Sequence, residues 1–326
     1  MGALQRSTFY VLSAVILVGT LYSIIFSTFM DTSDPLLTHL PHHLSDTHYF
    51  ACKRNWLNVY FLKKAWGWTS IAFLLTWLTG HTKSPAHKRA NRTENSRLLF
   101  LYVTLTLLWV LFTNWFFGPA LLDRVVLASG GECLLTGPPG IGPLSIPVEH
   151  CFSRSKISAQ SHPELFQSLF KSPNGDSFTE ASICPPDAPT CIQNILGVPR
   201  LRNGHDVSGH LFLLTMSILL LTRQLEASFE RRNQTNVGKD KREVKAGWSQ
   251  LHTLAVIGQF GLLALWLLAS VTTSVYFHSP GEKLTGLVLG VATYATAEVL
   301  TSIFFPTSSQ AERLDSVAQA VADKTR

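Results

Sequence analysis

Long apolar windows separated by polar, Lys- and Arg-bearing stretches set the pattern of this 326-residue chain. The hydrocarbon core of a bilayer, about 30 Å thick, takes roughly 20 apolar helical residues to cross. Six windows approach that length, at about 9–29, 59–80, 98–118, 207–222, 251–277 and 284–305. The first is uncharged and lacks a basic leader and a small-residue cleavage site, so it reads as a retained helix and not a removable signal. The second carries Lys63 and Lys64 near its first turn, where long basic side chains can reach the interface. The fourth is the shortest, at about 16 residues. Pro119 and Pro306 stop the third and sixth. Trp56, Trp66, Trp68, Trp115 and Trp248 fall near window ends, where interfacial aromatics concentrate. The pattern predicts an all-α polytopic membrane protein with six transmembrane helices. They occupy residues 1–306 together with a long loop, 119–203, and leave a polar tail at 307–326.

Composition sharpens this. The apolar fraction of 46% is ordinary, but the charged fraction is 15%, against about 25% for a typical soluble domain. Disorder and a small disulfide scaffold are excluded. The net charge of +6 acquires meaning from its placement. The 81–97 segment carries a net +4 and the 223–250 segment a net +3. The positive-inside rule then puts both termini in the cytosol and the 30–55 and 119–203 segments in the opposite compartment. The surplus records orientation, and no nucleic-acid partner is implied. All five cysteines (Cys52, Cys133, Cys151, Cys184, Cys191) lie in those two segments, as an oxidising lumen would favour; their spacing leaves the connectivity open. The sequons at Asn91 and Asn233 fall in expected cytosolic loops, where they would go unused. The 119–203 loop is too long for a connector and reads as a lumenal cap, with one short helix expected near 163–171.

Candidate chemistry follows from topology. His210 opens the fourth span and His278 closes the fifth, so two histidines 68 residues apart meet at one lumenal interface. Ser208 and Gly209 precede His210 at a helix N-terminus, whose free N–H groups and positive dipole suit a phosphate. A neutral imidazole can attack phosphorus while a protonated one supplies a proton to the leaving oxygen. Asp206 is placed to orient either ring, and Lys283 to meet developing phosphate charge. The plainer reading is that interfacial histidines cap helix ends. His39, His42, His43 and His48 have irregular spacing, so no metal site is expected there. Glu298 lies too deep to join the pair and is expected to serve packing or lipid binding. Asn114 stands near the site end of the third span.

Three stretches together resemble the fat storage-inducing transmembrane family, in its fungal branch. They are Asn114 to Pro119 with Asp123-Arg124 and Gly130-Gly131-Glu132-Cys133; His205-Asp206-Val207-Ser208-Gly209-His210 onward; and Tyr276-Phe277-His278 with Lys283 and Gly286. The resemblance implies a six-span protein of the endoplasmic reticulum membrane linked to lipid-droplet formation and phospholipid balance. The family is in turn similar to lipid phosphate phosphatases, which implies His210 as proton donor and His278 as nucleophile. The implied reaction is hydrolysis of the pyrophosphate of fatty acyl-CoA to acyl 4′-phosphopantetheine and adenosine 3′,5′-bisphosphate, with no metal or other cofactor. The phosphatases' K-x6-R-P signature is absent, and Ser153-Arg154 with His162 only imitates their third motif. Phosphate charge is then left to backbone N–H groups, Lys283, Arg200 or Arg202. The rival expectation is a non-enzymatic binder of diacylglycerol or triacylglycerol; a transporter is disfavoured by the lack of repeated halves.

Overall fold

The computed structural model describes residues 2–30, 42–80, 88–113, 120–136, 143–153, 155–169, 196–202, 204–237 and 248–306. Six major helices form its body: α1 (Ala3–Ile25), α2 (Ala65–Thr79), α3 (Lys88–Thr113), α7 (Gly209–Val237), α8 (Gln250–Tyr276) and α9 (Pro280–Phe304). Between α3 and α7 lie α4 (Leu121–Ala128), β1 (Glu132–Thr136), β2 (Pro143–Ile146), α5 (Glu149–Ser153), β3 (Ile157–Ser158), α6 (Pro163–Leu169), β4 (Leu196–Gly197) and β5 (Arg200–Arg202).

Among the described residues, five helices are long and apolar enough to cross a membrane: α1, α3 from Thr93, α7 to Arg232, α8 and α9. The chain is therefore a multi-pass membrane protein. The second expected span differs. Its α-helix has 15 residues, preceded by a π-helical turn at Leu57–Phe61 and a 3₁₀ turn at Leu62–Lys64. The irregular turns coincide with the two lysines that interrupt its apolar run.

The shortest expected span proves to be the centre of the bundle. In α7 the apolar window is 89% buried, against 17–33% for the other four candidate spans, and α7 contacts α1, α2, α3, α8 and α9. A helix surrounded by protein has no lipid face, so polar side chains that bond to neighbours are tolerated along it. Gln224 Nε2 donates to Phe73 O at 2.8 Å, and Gln259 Nε2 donates to Leu221 O at 2.8 Å. This lowers local hydropathy and explains why 207–222 understates the helix. The 223–230 segment, expected as cytosolic loop, is helical, and so are Arg231 and Arg232. Arg231 is buried, with Nη1 donating to Asn95 Oδ1 at 2.7 Å. Asn91 and Asn233 likewise lie within α3 and α7.

Close packing of α9 on α7 depends on Gly286 and Gly290, one helical turn apart. A Cβ on Gly286 would stand 2.7 Å from Ser208 O, and one on Gly290 would stand 2.6 Å from Thr215 Cβ. Small residues at this spacing let two backbones approach.

The expectation of an all-α chain is corrected in the cap. There β2, β1 and β5 form a three-stranded antiparallel sheet in that order, and β3 pairs with β4. Cys133, Leu135, Ile146, Cys151, Ile157, Leu165 and Phe166 give it a small core of its own. Cys133 and Cys151 are joined by a disulfide; Cys52 is free, and Cys184 and Cys191 lie outside the described residues. The short helix expected near 163–171 is α6. The tail at 307–326, His39, Arg154 and Asn114 also lie outside the described residues.

Candidate functional site

The site is assembled where the starts of α7 and α9 meet the end of α8. His278 is the second residue after α8, ahead of an N-cap at Ser279 and Pro280 as the first residue of α9. Pro at that position fits the fixed φ of a helix start. Ser279 and Glu282 form a capping box, with Ser279 N donating to Glu282 Oε2 at 2.8 Å. The same carboxylate oxygen lies 3.4 Å from His278 Nδ1. His278 adopts φ +63°, a left-handed conformation uncommon outside glycine. Such a conformation persists where the surroundings over-determine the backbone, and it clusters at functional sites. Here the surroundings are visible. Thr28 Oγ1 donates to Val275 O at 2.8 Å, and Met30 N donates to Tyr276 O at 3.2 Å, lacing the end of α1 to the chain just before His278.

The segment before α7 is held as firmly. Ser208, fully buried, donates its N–H to Glu282 O at 3.1 Å. His205 donates its backbone N–H to Ser129 Oγ at 2.7 Å, and its Nε2 lies 2.9 Å from Thr285 Oγ1. His205 is thus a strap between the end of α4 and the first turns of α9. With 204–208 fixed on α9, His210 on the first turn of α7 comes within electrostatic reach of both His278 and Lys63. Gly209 is exposed, and a Cβ there would meet no atom within 4 Å. The helix N-terminus therefore opens onto free space beside the pair.

Asp206 is close enough to interact with His278, Glu282, Arg202 and Asp123. Burial pushes its carboxyl above the ordinary carboxylate range, aided by Glu282 and Asp123 and opposed by His278 and Arg202. Asp206 also lines a cavity of about 380 Å³ under the cap, together with Asp123, Arg200 and Arg202.

The structure thus brings together His210, His278, Asp206, Ser208 and Gly209. Lys283 goes elsewhere. It is fully buried, its Nζ donates to Ser23 Oγ of α1 at 2.8 Å, and it lies 5.3 Å from the Phe29 ring centroid. On α9 it points into the α1 packing one position beyond Glu282, so an expected phosphate contact is occupied as a helix tie. The residue the sequence reading passed over is Glu282. Its signal was the S-P-G-E capping box placed directly after His278. His42 is also structural, with Nε2 2.8 Å from Tyr276 O and Nδ1 accepting from Leu44 N at 3.0 Å. Glu298 packs as expected, accepting from Tyr294 OH at 2.7 Å and facing Arg97 and Arg223 at 3.9 Å.

A family model described as fat storage-inducing transmembrane protein matches residues 46–297. The acyl-coenzyme A diphosphatase fit1 of Schizosaccharomyces pombe is 26% identical over 295 residues, covering 90% of this chain and 84% of that protein. The acyl-coenzyme A diphosphatase FITM2 of Xenopus tropicalis is 26% identical over 249 residues, and that of Xenopus laevis 24% over 255. Each alignment covers 74% of this chain and 68% of the relative. No solved structure matches.

Proposed function

Because the chain belongs to the fat storage-inducing transmembrane family, we propose that it is an acyl-coenzyme A diphosphatase, the activity named for its relatives. The substrate is fatty acyl-CoA and the products are acyl 4′-phosphopantetheine and adenosine 3′,5′-bisphosphate. The observation that carries the reading is the meeting of His210 and His278, with a carboxylate behind His278. With the Glu282 carboxylate 3.4 Å from Nδ1, protonation is favoured on that nitrogen, and the Nε2 lone pair of His278 is the one presented to phosphorus. Nε2 attacks one phosphorus of the pyrophosphate; an N–P bond forms and the bridging P–O bond breaks. The leaving oxygen takes a proton from His210, which sits on the first turn of α7 where the helix dipole faces the phosphate. Water then cleaves the phosphohistidine, with His210 accepting its proton. Ser208, buried against α9, and Gly209 hold the N–H groups of that turn toward the phosphate.

The reading extends to topology. Six crossings, counting the irregular 57–79 segment, leave both termini in the cytosol and the histidines and the cap on the lumenal side of the endoplasmic reticulum. The disulfide Cys133–Cys151 in the cap supports an oxidising compartment. The acyl chain has a place as well. A groove of about 550 Å³ between α2 and α8 is lined by residues including Phe61, Trp68, Leu75, Leu254 and Leu262. Phe61 at its end is two residues from Lys63, which is in reach of His210. Clearing acyl-CoA in this membrane connects the activity to lipid-droplet formation and phospholipid balance. The same groove favours the second reading, a binder of diacylglycerol or triacylglycerol without catalysis.

One comparison separates them. Purified protein and its His210→Ala and His278→Ala variants are assayed for oleoyl-CoA cleavage by product mass. The expected result is a loss of on the order of a thousandfold or more in both variants, as when a nucleophile or its proton-transfer partner is removed. Equal turnover in all three proteins, or none in the wild type, leaves only the lipid-binding reading.

A further inference from the structure

Three cations converge beside the histidine pair without belonging to it. Arg200 and Arg202 are alternate residues of β5, paired to Leu134 and Glu132 of β1, so both project from one face of the strand. Lys53, from the segment before the irregular turn of α2, interacts with both of them. The two arginines line the cavity that Asp206 also lines, and Asp206 is in reach of His278. At about 380 Å³ the space is within the usual range of small-molecule sites. Asp123 and Asp206 are its acidic groups, and Val126, Cys151, Val198, Pro199 and Leu201 complete its wall.

At the arginine end of this cavity Asp206 is the acid in reach of Arg202 among the described residues, and one donor is left over. Arg202 Nε is buried with no hydrogen-bond partner among the described residues. Buried donors are almost always satisfied, and an orphan calls for an explanation such as an absent ligand. Burial, together with the charge of Arg200, pushes the Arg202 guanidinium below its ordinary value. Burial and the two arginines do the same to Lys53. Three cations gathered in one place attract a multiply charged anion, and a guanidinium fork matches a phosphate best.

We propose that Arg200, Arg202 and Lys53 form a phosphomonoester subsite that takes the 3′-phosphate of the substrate's nucleotide while the pyrophosphate lies at His210 and His278. The proposal rests on the diphosphatase reading and adds what selects coenzyme A from other pyrophosphates. The adenosine lies under the cap, and Asp206 marks the join between subsite and catalytic pair.

The test compares oleoyl-CoA with oleoyl-3′-dephospho-CoA in phosphatidylcholine nanodiscs, which contain no phosphomonoester lipid. Wild type is expected to prefer oleoyl-CoA in kcat/KM. In Arg202→Gln that preference falls on the order of ten- to a hundredfold, the range for charge-assisted hydrogen bonds. The change resides in KM, and Arg202→Lys recovers part of it. Arg200→Gln carries the test if Arg202→Gln does not fold. Equal loss on both substrates, or no preference in the wild type, overturns the proposal. A second arm measures binding of adenosine 3′,5′-bisphosphate and adenosine 5′-monophosphate to His278→Ala protein. Tighter binding of the bisphosphate, abolished by adding Arg202→Gln, sustains the subsite even if neither substrate turns over. If neither nucleotide binds more tightly, the subsite is wrong whatever the activity. Phosphatidic acid in the nanodiscs that competes in wild type but not in Arg202→Gln, with no 3′-phosphate preference, would reassign the cluster to a lipid headgroup.

Discussion

The two ends of the helical bundle use buried polar residues in opposite ways. At the end away from the histidines, Arg223 Nη2 donates to Glu94 Oε1 at 2.6 Å and its Nε faces Glu298 Oε1 at 3.9 Å. Tyr294 OH donates to that same Glu298 oxygen, and Gln5 contacts Tyr294 from α1. Arg231 is tied to Asn95 and to Ala227 O. These groups from α1, α3, α7 and α9 satisfy one another, as buried charges in a bundle must. At the histidine end, Arg202 Nε is buried without a hydrogen-bond partner among the described residues, and His278 has a left-handed backbone and faces Glu282 at 3.4 Å without a closed hydrogen bond. One region stores its polar groups in structure. The other leaves the Nε–H of one guanidinium for a ligand.

That contrast breaks first if the paired end proves dispensable. Arg223→Ala leaves Glu94 without its cation and Glu298 with only Arg97 at 3.9 Å, and losing a part-buried hydrogen bond between charged groups costs about 1.5–3 kcal/mol. A large drop in the thermal midpoint in detergent is expected, with activity lost only through unfolding. An unchanged midpoint would place the network at the surface in energetic terms.

The next effect is catalytic. Glu282→Gln retains a side-chain acceptor for Ser279 N but removes the charge facing His278 Nδ1. Loss of a carboxylate that orients an imidazole is expected to lower kcat by about 10- to 100-fold. The midpoint should move little, because the cap survives. A stability loss with unaltered kcat per folded molecule would make Glu282 a capping residue and nothing more.

The smallest effect is a pH dependence. Burial raises the Asp206 carboxyl above its usual value of about 3.9. Between the unfolded and folded values the native state holds the extra proton, so stability falls as pH rises through that window. Asp206→Asn removes this slope. Comparing the thermal midpoints of the two proteins from pH 4 upward should show the wild type losing ground relative to the variant. Parallel curves would mean that Asp206 is solvated and outside the site.

The particular residues show which parts of this were legible in one dimension. His210 and His278 could be placed at one interface from hydropathy alone, because an even walk of spans returns the chain to the same side. Glu282 could have been found, since S-P-G-E is a local pattern. The fate of Lys283 could not. Its neighbour on α9 faces His278 while it faces Ser23, and only helix rotation decides that. The same holds for Arg223 and Arg231, which in sequence look like an orienting loop and in space are internal ties.

By itself the sequence determined the membrane class, five of the apolar helices, the family motifs and the histidine pair. Those properties follow from solvent preference and local pattern, which act along the chain. The tertiary structure alone decided that α7 is the central helix, that the 57–64 segment is irregular, that the cap contains a sheet, and that Arg200, Arg202 and Lys53 converge beside Asp206. Burial by protein and burial by lipid impose the same apolarity on a residue, and a strand of three residues carries too little pattern to reveal its partners. Contacts between distant segments are fixed by packing, and only the folded chain records them.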